Sequence, residues 1–169
     1  VALAYLQHAK QYYRKQDGTP TQTIHGVKEA IRAIVSLYGH AQASEFGPLS
    51  LRTVRRQWIE KDLARKTINY YTRFIKQMFK WAAAEEMVSV TIYQSLMAVQ
   101  NIQAGRTEAR ESRIVTPVPD DDIEAVRGHV SSQVWALIHL QILTGARGSE
   151  LLELKATDLD TSGDIWKYG

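Results

Sequence analysis

The chain has 169 residues, 44% of them hydrophobic, enough for one ordinary domain or two small ones with a real core. It has no cysteine, no window near the roughly 20 uninterrupted apolar residues of a membrane span, and no leader-like order in residues 1–10. These absences exclude disulfide staples, thiol catalysis and a membrane partner, and leave the cytoplasm as the expected setting. The formal net charge of +3 is too mild to imply nucleic acid by itself, so its distribution matters more than its sum.

The first predicted helix runs from Ala2 to about Arg14, with Leu3, Leu6, Ala9 and Tyr13 at helical spacing, and ends at the turn signal Asp17-Gly18-Thr19-Pro20. The second is capped by Thr21 or Thr23, carries Ile24, Val27, Ile31, Ile34, Val35 and Tyr38 on one stripe, and closes at Gly39. The third starts near Gly47-Pro48, turns Leu51, Val54, Trp58 and Ile59 inward, and has an arginine outer face. The fourth, about 65–86, is the best defined. Ile68, Tyr71, Ile75, Met78, Phe79 and Ala82 share one side, whereas Arg65, Asn69, Arg73, Lys76 and Lys80 share another. A short helix near 92–99 follows.

Residues 101–116 have weak periodicity, mixed charge and prolines close behind, so they are expected to link a helical domain at 1–100 to a second domain at 117–169. Asp120, Asp121 and Asp122 suit a helix start, and Ser131 or Ser132 caps a helix through Val134, Leu137, Ile138, Leu140 and Ile142. That helix is apolar on most of its surface and is expected to be buried and central. It stops at Thr144-Gly145, a short helix holds 150–154, and Ile165 to Tyr168 has strand composition. A lone strand leaves its edges unpaired and no strand-rich partner is evident nearby, so the rest of its sheet is expected beyond Gly169. The start at valine agrees with a piece of something longer.

Two constellations carry chemistry. Residues 50–80 hold nine Lys/Arg against two acids, whereas residues 115–169 hold four basic residues against nine acidic ones. On the third and fourth helices the candidate phosphate contacts are Arg52, Arg55, Arg56, Arg65, Lys66, Asn69, Arg73, Lys76 and Lys80. A merely solvated face normally mixes Glu with Lys, and from Arg65 to Lys80 there is no acid at all. The second constellation is Leu143-Thr144-Gly145-Ala146-Arg147-Gly148-Ser149-Glu150-Leu151. An arginine at such a helix–turn–helix junction can present its planar fork to a phosphate, aided by amides at the new helix start. The plainer alternative is a surface arginine beside a helix cap.

The segment 136–160, with LTGARGSELLELKATDLD, resembles the opening of the tyrosine recombinase (phage integrase) catalytic domain, where T-G-x-R-x-x-E-L is a fairly specific pattern. The segment 63–93, especially ARKTINYYTRFIKQMFKWA, is similar to the last long helix of that family's core-binding domain. The resemblance implies a mainly α chain, a helical SAM-like core-binding bundle followed by the truncated start of a mixed α/β catalytic domain. It further implies site-specific recombination or integration of a mobile element, with double-stranded DNA and other recombinase protomers as partners. Arg147 would contact the scissile phosphate and Glu150 would support that site, because an attacking tyrosine builds negative charge that a rigid guanidinium stabilises. The family's lysine, His-x-x-Arg element, further His or Trp and nucleophilic Tyr would lie beyond Gly169, so the chain alone is expected to be inactive in cleavage. Lys167 is not assigned as the catalytic lysine.

The other polar residues take plainer roles. His8, His25, His40, His129 and His139 lack metal-ligand spacing, so neither a metal nor a cofactor is expected. Tyr12, Tyr13, Tyr70 and Tyr71 are packing or phosphate-contact residues, and no general base marks any tyrosine as a nucleophile. The alternative function is a non-enzymatic helical DNA-binding regulator, which explains the basic stripe and leaves Arg147 idle. A helical protein-interaction module explains neither constellation.

Overall fold

The computed structural model describes residues 1–164, 167 and 168. The protein is mainly helical and divides into two compact units, Val1–Ile114 and Val115–Gly169.

The first unit contains α1 (Ala2–Tyr12), α2 (Thr23–Tyr38), α3 (Pro48–Glu60), α4 (Arg65–Ala84) and α5 (Val90–Met97). Pro48 sits in the first turn of α3, where its missing N–H costs no helix hydrogen bond. Helix α4, 20 residues and about 30 Å long, is the hub, packing against all four other helices. Its Ile68, Phe74, Ile75, Met78 and Phe79 meet Val27 and Ile34 of α2, Leu51, Val54 and Trp58 of α3, and Leu96 of α5 in one buried cluster. Each large apolar side chain sealed there contributes about 1.5–3 kcal/mol. Helices α2 and α4 approach closely at Gly26, where a Cβ would lie 2.6 Å from ring atoms of both Tyr70 and Phe74.

Helices α3 and α4 end without glycine. Asp62 (φ 55°) and Glu86 (φ 57°) take the left-handed conformation. The next N–H groups reach back into the helix, Leu63 to Trp58 at 3.0 Å and Met87 to Ala82 at 2.9 Å. Gly39, expected to close α2, follows it in right-handed geometry.

The segment expected to be a free linker is largely part of this unit. Ile102 and Ala109 are buried in its cluster, and the boundary falls after Ile114. The backbone explains the attachment. The first amides of a helix have no intrahelical acceptor, and the Arg65 N–H donates to the Arg110 carbonyl at 2.7 Å. Arg110 in turn pairs with Asp62 at 3.2 Å.

The second unit holds α6 (Asp120–Val126), α7 (Ser132–Thr144), α8 (Gly148–Glu153), β1 (Leu159–Asp160) and β2 (Lys167–Tyr168). Ser131 caps α7 by accepting from the Val134 N–H, and Gly145 (φ 66°) closes it in the left-handed region that favours glycine. Two expectations are corrected. Helix α7 is not a buried helix: among the described residues of this unit none is buried, and Leu143 is 80% exposed. The flanking α6 and α8, of seven and six residues, are too short to cover a helix of thirteen. Nor is the final strand alone, since β2 pairs antiparallel with β1, Leu159 opposite Tyr168 and Asp160 opposite Lys167. The turn before it is organised by Asp160, whose carboxylate accepts from the backbone and hydroxyl of Ser162. Ile165 and Trp166, the other strand positions expected from composition, lie outside the described residues.

Candidate nucleic-acid interface

At about 100° per residue the polar stripe of α4 resolves into two parallel rows. Arg65, Asn69 and Lys76 form the row nearer the core, and Lys66, Arg73 and Lys80 form the row beyond it. The rows have different partners.

The inner row clasps the chain's own backbone. Asn69 donates to the Ile102 carbonyl at 3.0 Å and accepts from the Ile102 N–H at 2.9 Å, closing a two-bond pair on one residue. Lys76 donates to the Val99 carbonyl at 2.6 Å. Arg65 pairs with Glu111 at 2.6 Å and also reaches the Ile102 carbonyl. The hydrogen bond from Arg65 holds the Glu111 carboxyl below the usual carboxylate range. Burial, and then the nearby Arg55, push the Lys76 ammonium below its ordinary value.

The outer row is exposed, and among the described residues none of its three cations is in an ion pair. Spacing of seven residues sets Lys66, Arg73 and Lys80 in line over about 21 Å. Arg73 is preordered, because its guanidinium lies 5.1 Å from the ring centres of both Tyr70 and Phe74.

The α3 arginines also divide. Arg52 and Arg56 are exposed, but Arg55 is 9% exposed and donates to the Gln100 carbonyl at 2.8 Å. The expectation that all three share the outer face is therefore corrected at Arg55. It lies about 40° from Leu51 and about 60° from Trp58 on the helix, so the face that buries them also buries its stem.

In the second unit, Arg147 is the residue before α8, and its side chain is 84% exposed. Glu150 accepts from the Arg147 backbone N–H at 2.8 Å and from its guanidinium at 2.9 Å. One carboxylate thereby caps the helix start and fixes one edge of the arginine. The structure thus brings Arg147 and Glu150 together, as it does Arg65, Asn69 and Lys76, whereas Arg55 differs from Arg52 and Arg56 in burial while lining the same groove.

Glu111 carries no mark in the sequence as a site residue, and neither do the carbonyls of Val99, Gln100 and Ile102. Carbonyls have no sequence signature. The available signal was Ile102 and Ala109, isolated apolar residues in an otherwise polar run. Among the described residues no group of His, Asp or Glu is arranged to hold a metal ion, and no helix is long and apolar enough to cross a membrane.

No protein-family model, no curated protein and no solved structure matches this chain.

Proposed function

We propose that this chain grips duplex DNA and is the front part of a tyrosine recombinase, with a SAM-like core-binding bundle followed by the start of a catalytic domain. The observation that carries the DNA-binding half is the outer row of α4. Lys66, Arg73 and Lys80 stand in line, exposed, unpaired and with no acid on their helix between Arg65 and Lys80. A cation without a carboxylate partner releases no internal ion pair when it meets a phosphate, so the gain from displaced counterions is kept in full. The test is anisotropy of a fluorescently labelled duplex with increasing salt. Binding at low salt that weakens steeply is expected, and no binding at low salt contradicts the proposal.

The catalytic half of the proposal rests on Arg147 and Glu150. Their mutual hydrogen bonds hold the guanidinium at the start of α8 while leaving it open to solvent, an arrangement suited to a phosphate oxygen that gains charge in a transition state. The chain alone should then yield no covalent adduct with supercoiled DNA. In a protein carrying the same chain together with a tyrosine nucleophile, Arg147→Ala lowers single-turnover cleavage by a factor on the order of 10² to 10³ while duplex affinity is retained.

One observation favours a second function, a non-enzymatic DNA-binding regulator. The Arg147–Glu150 pair is complete within the chain, and a helix cap needs nothing more. Duplex binding with no strand cleavage by any longer protein that carries this chain would select it.

A further inference from the structure

The groove between α3 and residues 102–108 lies beside the α4 rows and has no part in them. Its volume is about 520 Å³, and Arg52, Arg55 and Arg56 line it together with Ile59 and Ile102. The three arginines fall within a little more than one helical turn, Arg52 and Arg56 one turn apart with Arg55 between them. Among the described residues none of the three is in an ion pair.

Arg55 makes this cluster unusual. It is buried, yet of its N–H groups one is bonded, to the Gln100 carbonyl, and its counter-charge is missing. Burial, and then the proximity of Arg52, bring its guanidinium below its ordinary pKa. Lys76 adds a further positive charge close by, itself pushed down by burial and by Arg55. A half-desolvated cation with like charges beside it and no carboxylate bonded to it is stabilised when an anion joins it. An anion there would use the free N–H groups and relieve the like-charge repulsion together.

We propose that this groove binds a single nucleotide phosphate, with Arg55 as its buried anchor, Arg52 and Arg56 closing over it and Ile59 and Ile102 facing the attached sugar. The volume exceeds what a bare phosphate fills, and Ile59 and Ile102 suit an organic substituent rather than more water. Thr107 also lines the groove, and since its oxygen already accepts from the Ala109 N–H, its hydroxyl proton is free to donate. Glu60 and Glu108 line the same groove, exposed and unpaired, and against the three arginines they leave a surplus of one positive charge, which suits one phosphate and not two. The inference rests on the DNA-binding proposal for the source of the phosphate, not for the site itself.

The test is nuclear magnetic resonance of the arginine Nε–H signals of the whole chain. Inorganic phosphate is titrated against chloride at matched ionic strength, and a short duplex is titrated separately. Saturable movement of the Arg55 signal with phosphate and not with chloride is expected. The exposed double variant Arg52→Gln/Arg56→Gln should weaken that response at least ten-fold with the spectrum otherwise folded. A response to both phosphate and duplex supports the site with nucleic acid as its source. Saturation by phosphate in a chain that binds no duplex supports the site and overturns the DNA proposal. Duplex binding that leaves Arg55 unmoved, with no saturation by phosphate, overturns the site and leaves the DNA proposal standing. A phosphate response undiminished in the double variant also overturns it.

Discussion

The two polar rows of α4 are built from the same residue types on the same helix, and they do opposite things. Arg65, Asn69 and Lys76 face inward along the seam with residues 99–111 and spend their donors on carbonyls and on Glu111. Lys66, Arg73 and Lys80, further round the helix, meet solvent. The difference is one of angle: about 60° of arc separates the row that can lie against the packed segment from the row that cannot. Sign and spacing mark a basic helix face, and its distance from the core decides whether the charge is available to a ligand.

That division sets the size and kind of effect expected at each position. Replacing Lys66, Arg73 and Lys80 together by Ala should lower duplex affinity by a factor on the order of 10² to 10³ near 0.1 M salt, measured by anisotropy. Its thermal midpoint should stay close to that of the parent, because exposed substitutions of this kind usually change stability little. Asn69→Ala should do the reverse. Losing both bonds to Ile102 leaves that residue's N–H and carbonyl without partners and should reduce the unfolding free energy by about 2 kcal/mol in urea titration. An Asn69→Ala chain as stable as the parent would mean that the clasp is incidental.

Smaller effects sharpen the outer row further. Tyr70→Leu keeps an apolar side chain against Phe74 while removing the aromatic face under Arg73, and a two- to five-fold loss of duplex affinity is expected, about 0.5–1 kcal/mol. The smallest effect belongs to Glu111→Gln, tested by stability against pH. Glu111 is held below its ordinary pKa when folded, so its contribution is fully present above the unfolded carboxylate value of about 4.3 and is lost as pH falls through the folded value. The parent should therefore lose stability more steeply than Glu111→Gln below about pH 4.3. Parallel acid limbs would remove the Arg65–Glu111 pair from the account.

Much of this was legible in the residues. The apolar side of α4 and the start of α3 at Pro48 follow from periodicity and proline chemistry, and both appear in the structure. The burial of Arg55 was missed, because its charge argued for solvent although it lies only about 40° from Leu51 and about 60° from Trp58 on the helix. Asn69 was a quieter signal. An amide in a basic row adds no charge, and it can bond both the N–H and the carbonyl of one residue. What could not be read was tertiary. Asp62 and Glu86 reverse the chain in a conformation that glycine would have announced. The docking of 101–114 depends on Ile102 and Ala109 finding a surface far away in sequence. Helix α7, apolar nearly all round, reads as buried, and covering it requires area that α6 and α8 do not have.

The most direct test of the central claim is the salt dependence of duplex affinity, plotted as log affinity against log salt for the parent and for the Lys66→Ala/Arg73→Ala/Lys80→Ala chain. Removing three cations that each neutralise one phosphate should flatten the slope by about 2.7, at about 0.9 for each phosphate. A slope unchanged by removal of the outer row would show that these cations do not meet phosphates, and would contradict the assignment of α4 as the DNA grip.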